Sequence, residues 1–225
     1  MTTDNILQYL INLRENNERE WYHSHKKEYQ QAQKDFEELL QEFILRISEF
    51  DNSVADKNPH DLTFKIVRDT RFSHDKSPYN PSFRAHIGPL GKQPIPVGYY
   101  IMIKPGSSFL GAGLFADMFK EATTLVRDYI VEHSDEWQEV IKSLNNEFIV
   151  AGSALKNVPK GYDKEHPCAQ YLQYKSWYIE YPIDDALLKD PQAFLDLAIE
   201  KFKQMKRLND FLNQALIDFQ MPERK

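Results

Sequence analysis

The sequence predicts an α+β fold: a mostly antiparallel sheet drawn from the middle of the chain, flanked by helices from its N- and C-terminal parts. Three observations carry that expectation. Apolar residues recur at helical spacing over residues 24–49 and again after Pro191. Between them lie short strand-like runs, spaced too closely for the crossovers that parallel strands need. No internal repeat, low-complexity stretch or linker divides the chain, so one domain over residues 1–225 is expected.

Residues 4–16 open the series. Ile6, Leu7, Leu10 and Leu13 share one helical face, Thr3 or Asp4 is placed to cap it, and Asn16-Asn17 breaks it. From about residue 24 to 49, Tyr29, Ala32, Phe36, Leu39, Leu40, Phe43 and Ile47 form a stripe between charged positions. That pattern buries one side and solvates the other. Trp21 and Tyr22 anchor the start of this helix. Residues 51–61 are polar, include Pro59 and read as a loop.

Four strands are expected next, over residues 62–68, 83–87, 98–104 and 107–115. Pro105-Gly106 is a strong turn signal and makes the last two a hairpin. Gly111-Ala112-Gly113 carries almost no side-chain bulk, which implies close approach to the backbone by a helix, a ring or a ligand. Phe119, Ala122, Leu125, Val126, Tyr129 and Ile130 form one helical stripe; Ser134 is expected to cap a second helix through Leu144. Residues 147–167 read as mostly irregular, 176–183 as a strand, and the chain closes with a long helix after Pro191, which suits a first helical turn.

Composition narrows the class. With 225 residues and 41% hydrophobic content the chain can bury a substantial core. Fourteen Phe and twelve Tyr place large rings in that core or in a cleft. No apolar run approaches the ~18 residues that span a bilayer, and the first residues lack a signal-peptide pattern. The single Cys168 excludes an internal disulfide and a Cys-rich zinc site. A cytoplasmic protein with no membrane partner is expected. A net charge of −6 argues against nonspecific nucleic-acid binding, so nucleic acid is not an expected partner. Within this acidic chain, Lys65, Arg68, Arg71, Lys76, Arg84 and Lys92 form a basic island offset only by Asp69 and Asp75.

The densest polar stretch is residues 68–79, Arg-Asp-Thr-Arg-Phe-Ser-His-Asp-Lys-Ser-Pro-Tyr. Two readings stand. In one, Arg68, Arg71 and Lys76 converge on a carboxylate or phosphate, with bidentate guanidinium contacts and a further donor from Tyr79. In the other, Asp69, Asp75 and Ser73 satisfy the cations and order the connection. Strand alternation puts Arg84 and His86 on one face and Phe83, Ala85 and Ile87 on the other. Facing a cleft, His86 suits acid–base work near neutral pH; on a solvated face it does nothing special. Residues 162–167 are rich in polar groups but match no metal signature. Asp163 or His166 is expected to cap the short helix that follows. No metal and no cofactor is predicted. His23 and His25 diverge on a helix and are expected at the surface. Cys168 lies near a helix start, which can lower a thiol pKa, although a small buried side chain is the default.

Several of these segments together resemble a known family. Residues 64–79, Phe-Lys-Ile-Val-Arg-Asp-Thr-Arg-Phe-Ser-His-Asp-Lys-Ser-Pro-Tyr, look like the signature of domain of unknown function 2461, a bacterial and fungal group of conserved hypothetical proteins. Asn17-Glu-Arg-Glu-Trp-Tyr22 resembles its N-terminal motif, and Gly98-Tyr-Tyr-Ile with residues 105–115 its central hairpin. Residues 159–167, followed by Lys175, resemble its C-terminal motif. The chain departs from the pattern after Tyr79, where Asn80-Pro81 stands in place of a lysine. The resemblance implies a single-domain unit and brings no activity, substrate or cofactor with it.

Two functional classes follow. The first is a small-molecule or anion-binding domain, an enzyme being left open. Its ligand-binding cluster would be Arg68, Arg71, Lys76, Tyr79 and Arg84, with Tyr162 and Lys175 closing the pocket and His86 or His166 as acid–base candidates. The second is a non-catalytic interaction or scaffold module with a protein partner. Its surface would be an exposed aromatic patch from Trp177, Tyr178 and Tyr181.

Overall fold

A computed structural model describes residues 3–222. Helix α1 (Thr3–Glu15) buries Ile6, Leu7, Leu10 and Leu13, the stripe read from the sequence. It stops where the Asn16 amide turns back onto the Asn12 carbonyl at 3.0 Å. Two helices follow where one was expected: α2 (Arg19–Ser24) and α3 (Lys26–Ser48). His25 separates them. Its ring stacks on Trp21 at 4.1 Å, and its Nδ1 donates to the Trp21 carbonyl at 2.8 Å. The buried face of α3 is Ala32, Phe36, Leu39, Leu40, Phe43, Ile44 and Ile47.

The expected strand over residues 62–68 is not formed. Asn58 caps a one-turn helix α4 (Pro59–Leu62), its side-chain oxygen accepting from His60 N at 3.0 Å. Beyond it the chain is extended but touches the sheet only near Thr63 and Phe64, whose N–H donates to the Arg84 carbonyl at 2.9 Å. It then turns to clasp its own loop: Arg68 N donates to Pro78 O at 2.9 Å and Asn80 N to Ile66 O at 2.7 Å. Alternation alone does not say which backbone an extended segment will pair with.

The sheet contains β1 (Phe83–Ile87), β2 (Tyr99–Ile103), β3 (Ser108–Leu114), β4 (Ile149–Ala151) and β5 (Trp177–Ile183). Its order is β1-β2-β3-β5-β4, with every neighbouring pair antiparallel. Strand β4 was read as irregular; three half-exposed residues carry too little periodicity to announce a strand. Lys104 to Ser107 form a turn with Ser107 N on Lys104 O at 2.9 Å and Gly106 at φ 77°, the geometry for which Pro-Gly is suited. A ring and a helix both approach the glycine pair in β3. A Cβ on Gly111 would lie 2.9 Å from the Phe115 ring, and Gly113 N donates to Asn209 Oδ1 at 2.9 Å.

Only His133 separates helices α5 (Lys120–Glu132) and α6 (Ser134–Ser143). Ser134 therefore does not cap. His133 occupies that place, its ring stacked on Tyr129 at 3.9 Å and its Nδ1 donating to the Tyr129 carbonyl. After the short α7 (Ala169–Leu172) and β5, Asp190 caps α8 (Pro191–Ala215) by accepting from Ala193 N at 3.0 Å. The core lies between α3, α8 and one sheet face. There Phe43 meets Phe202 edge-on at 5.6 Å, and Phe36 and Tyr29 stack on Phe83. Each ring so buried contributes about 1.5–3 kcal/mol. The opposite sheet face carries Arg84, Tyr100, Phe109, Tyr178 and Glu180, all only half-buried. Trp177 points the other way and is 2% exposed, so the expected Trp177–Tyr178–Tyr181 patch does not exist as a unit.

Candidate functional site

The α1–α2 junction and the 68–79 loop meet at the β1 edge of the sheet. One side chain joins them. Asn17 Nδ2 donates to Tyr79 O at 2.9 Å, and Tyr79 N donates to Asn17 Oδ1 at 3.1 Å. This reciprocal pair satisfies both backbone groups of Tyr79, and the Tyr79 ring packs on Tyr22 at 4.4 Å. The Asn-Asn break that ends α1 thus turns α2 so that its first residues face the loop.

Between the two segments lies an open cleft of about 550 Å³. Arg19, Arg68, Lys76 and His23 reach its walls, Pro78 and Tyr79 form an apolar base, and Glu18 is the carboxylate among the lining groups. A second hollow of about 430 Å³ adjoins it across Arg68 and Tyr79, with Arg14 and Lys104 as its further cations and Asp75 as its acid. Arg19 is exposed, and its side chain enters no hydrogen bond or ion pair among the described residues. It lies close enough to Tyr79 to oppose the upward shift that burial imposes on the phenol.

The loop cations behave differently from one another. Arg68 is tied to Asp75 and also donates to Ser77 O at 3.3 Å and to Ser73 Oγ at 3.3 Å. Hydrogen bonds from Ser77 and from Arg68 pull the Asp75 carboxyl down to about 2. Arg71 grips Asp69 through Nε and Nη2, at 2.9 and 2.6 Å, and points to solvent beside the exposed Phe72 ring. That pairing holds Asp69 below the usual carboxylate range. Lys76 Nζ donates once, to Thr70 O at 3.0 Å, which leaves two of its N–H groups open. Arg71 does not line the cleft; Arg68, Lys76 and Tyr79 do.

The other sequence-predicted residues lie elsewhere. Arg84 is on the half-exposed sheet face, its guanidinium 5.6 Å from the Phe64 ring centre. His86 is buried, with Nδ1 donating to Gly91 O at 3.1 Å, and desolvation lowers its pKa to about 4. An imidazole so enclosed is neutral and out of reach of a cleft ligand. Tyr162 donates to Asp128 of α5 at 2.7 Å. Lys175, just before β5, pairs with Asp117 at 3.3 Å. β5 stands three strands from β1, so this C-terminal group does not close over the cleft. His166 Nδ1 accepts from Cys168 N at 3.1 Å, and Asp163 accepts from Glu165 N at 2.9 Å, as loop-ordering groups do. Burial pushes the Cys168 thiol up, the reverse of what a helix start can do. Among the described residues no group of three or more His, Cys, Asp or Glu side chains is placed to hold a metal ion.

Sequence reading missed Arg19, His23 and Asn17 as cleft residues. The available signal was the Asn17–Tyr22 motif itself, a run of polar groups at a helix break. No helix among the described residues is long and apolar enough to cross a membrane. No curated protein and no solved structure matches the chain. The family described as Conserved hypothetical protein (DUF2461) matches residues 5–211. That match spans both walls of the cleft, the whole sheet and most of α8, and the chain belongs to this family.

Proposed function

We propose that this protein binds a small anionic molecule, a phosphate or carboxylate compound, in the cleft between the α1–α2 junction and the 68–79 loop. One observation carries the reading. Arg19 and Lys76 face a common hollow with bonding capacity unspent, and Glu18 is the acid among its lining residues. Arg68 adds a positively charged wall that Asp75 and Ser73 hold in a fixed orientation. A preoriented guanidinium loses less entropy on binding than a free one. Tyr79 and Pro78 offer an apolar base to the non-ionic part of such a ligand. Whether a reaction follows binding is a separate matter: neither His86 nor His166 lines the cleft. We place the protein in the cytoplasm, a reading supported by its lone, buried thiol at Cys168.

Calorimetric titration with inorganic pyrophosphate at fixed ionic strength tests this. A charge-assisted contact contributes about 1.5–3 kcal/mol, so Arg19→Ala is expected to weaken binding at least about tenfold. Arg71→Ala is expected to leave it unchanged. Equal loss in both variants, or no saturable heat with the wild type, would sink the proposal. A second reading, a non-catalytic interaction module, is favoured by the aromatic sheet face opposite the helices.

A further inference from the structure

Three elements build the hollow of about 430 Å³ beside the cleft: Arg14 from the last turn of α1, Lys104 just past β2, and the chain from Asp75 to Pro81. The Lys104 backbone is pinned. Ser108 Oγ donates to its carbonyl and accepts from its N–H, each at 3.0 Å, and Ser107 N donates to the same carbonyl at 2.9 Å. The Lys104 side chain is half-buried and has no hydrogen bond or ion pair among the described residues. Arg14 is exposed and makes one weak contact, from Nη1 to Pro105 O at 3.5 Å. Asp75, the acid of this hollow, is already engaged by Arg68 and by Ser77 N. Two cations with open donors thus line a hollow whose carboxylate is spoken for.

Asn17, Arg68 and Tyr79 line both this hollow and the cleft, so they form the divide between the two. The Asn17 amide is committed to the Tyr79 backbone, and Arg68 is paired with Asp75. The divide is therefore close to neutral, with Pro78 on the cleft side and Pro81 on the other. Beyond it on one side stand Arg19 and Lys76; beyond it on the other stand Arg14 and Lys104.

The two cation pairs are not far apart. Arg14 and Arg19 are five residues from one another in the chain, so at most about 18 Å separates their Cα atoms. A bond from Glu18 N to Asn16 O at 2.8 Å folds the chain back between them and shortens that span. A small molecule can bridge it. Each pair carries two positive charges, which matches a phosphate monoester, with about −1.5 to −2 near pH 7, better than a carboxylate. Two such pairs across a neutral divide complement a ligand with an anionic group at each end and an uncharged middle.

Resting on the anion-site reading above, we propose that the two hollows act as one site for a bisphosphate, a molecule with a phosphate at each end of a short carbon skeleton. One phosphate lies between Arg19 and Lys76, the other between Arg14 and Lys104. The skeleton crosses Tyr79 and the two prolines. The half-buried Asn80 side chain, which has no partner among the described residues, is placed to bond a hydroxyl on it. Once the first phosphate is held, the second contact is intramolecular, so it adds more affinity than a separate phosphate would.

Calorimetric titration at fixed ionic strength tests this, with inorganic pyrophosphate compared against propanediol, butanediol and hexanediol phosphorylated at both ends. Pyrophosphate is similarly charged but too compact to reach both cation pairs. At least one bisphosphate is expected to bind, one per chain, at least about tenfold more tightly than pyrophosphate. Lys104→Ala, confirmed as folded by circular dichroism, is expected to bring that ratio close to one. Arg19→Ala is expected to weaken both ligands. Saturable binding of pyrophosphate that no bisphosphate exceeds overturns the bisphosphate proposal and leaves the anion cleft standing. A bisphosphate preference that survives Lys104→Ala overturns it too, because the second phosphate then lies elsewhere. Failure of every probe to bind saturably overturns both readings.

Discussion

His86 shows what a strand can do to a titratable side chain. Alternation sets it on the outward face, yet the connection after β1 covers it and leaves only backbone carbonyls as partners. Burial lowers its pKa from 6.5 to about 4. The unfolded chain takes up this proton near pH 6.5, the folded chain only near pH 4. Between those values unfolding is coupled to proton uptake, so the contribution of neutral His86 is complete above pH 6.5 and falls away as the pH drops. The loss is about 2 kcal/mol between pH 7 and pH 5. Urea unfolding of the wild type and of His86→Gln at those two pH values checks it. The wild type is expected to lose about 2 kcal/mol more than the variant on acidification; parallel losses would show that the folded and unfolded chains protonate His86 alike.

The same scale explains which cations were legible. Residue types and density pointed to the 68–79 loop, and Arg68, Lys76 and Tyr79 from it do line the cleft. Arg71 looked equivalent in sequence but sits two positions from Asp69, close enough for its backbone N and its guanidinium to bond one carboxylate. Such local pairing is decided by loop dihedrals that composition does not encode. Arg19 was hidden for the opposite reason. It belongs to a different segment, and only the Asn17–Tyr79 clasp brings the two together.

At the scale of elements, the long helices and the β2–β3 hairpin were legible because many residues vote for each. The extended stretch after Leu62 and the short β4 were not, because pairing partners decide such segments. The hairpin permits a sharp contrast between two of its glycines. Gly106 has φ 77° but open space where a Cβ would go, so Gly106→Ala is expected to cost about 1 kcal/mol. Gly113 has φ 102°, and a Cβ there would lie 2.4 Å from the Trp177 carbonyl oxygen across β3 and β5. Gly113→Ala must part the two central strands and is expected to cost more than about 3 kcal/mol. Thermal melts of the two variants check the order; equal effects would mean that the strands yield more easily than their register implies.

At the scale of the molecule, the sheet divides labour by its two faces and its edge. One face makes the core with α3 and α8. The other carries half-buried rings, with Arg84 and Glu180 beside Tyr100. The β1 edge carries the loop that faces α2 across the cleft. The surplus of positive charge at that edge stands on a chain of net charge −6, so its field is local rather than global. Because the cleft is open to water, salt screens it over about 8–10 Å, and the proposed anion binding is expected to weaken as ionic strength rises.

The proposed anion site is tested most directly by following backbone amide resonances of the labelled protein while inorganic pyrophosphate is added at constant ionic strength. Residues 17–23 and 67–79 come from segments that meet only in the fold. The expected result is that resonances from both segments shift together along one saturating curve, while those around Tyr162 and Lys175 stay still. Shifts that never saturate, or that leave residues 17–23 unmoved, would contradict the cleft as an anion site.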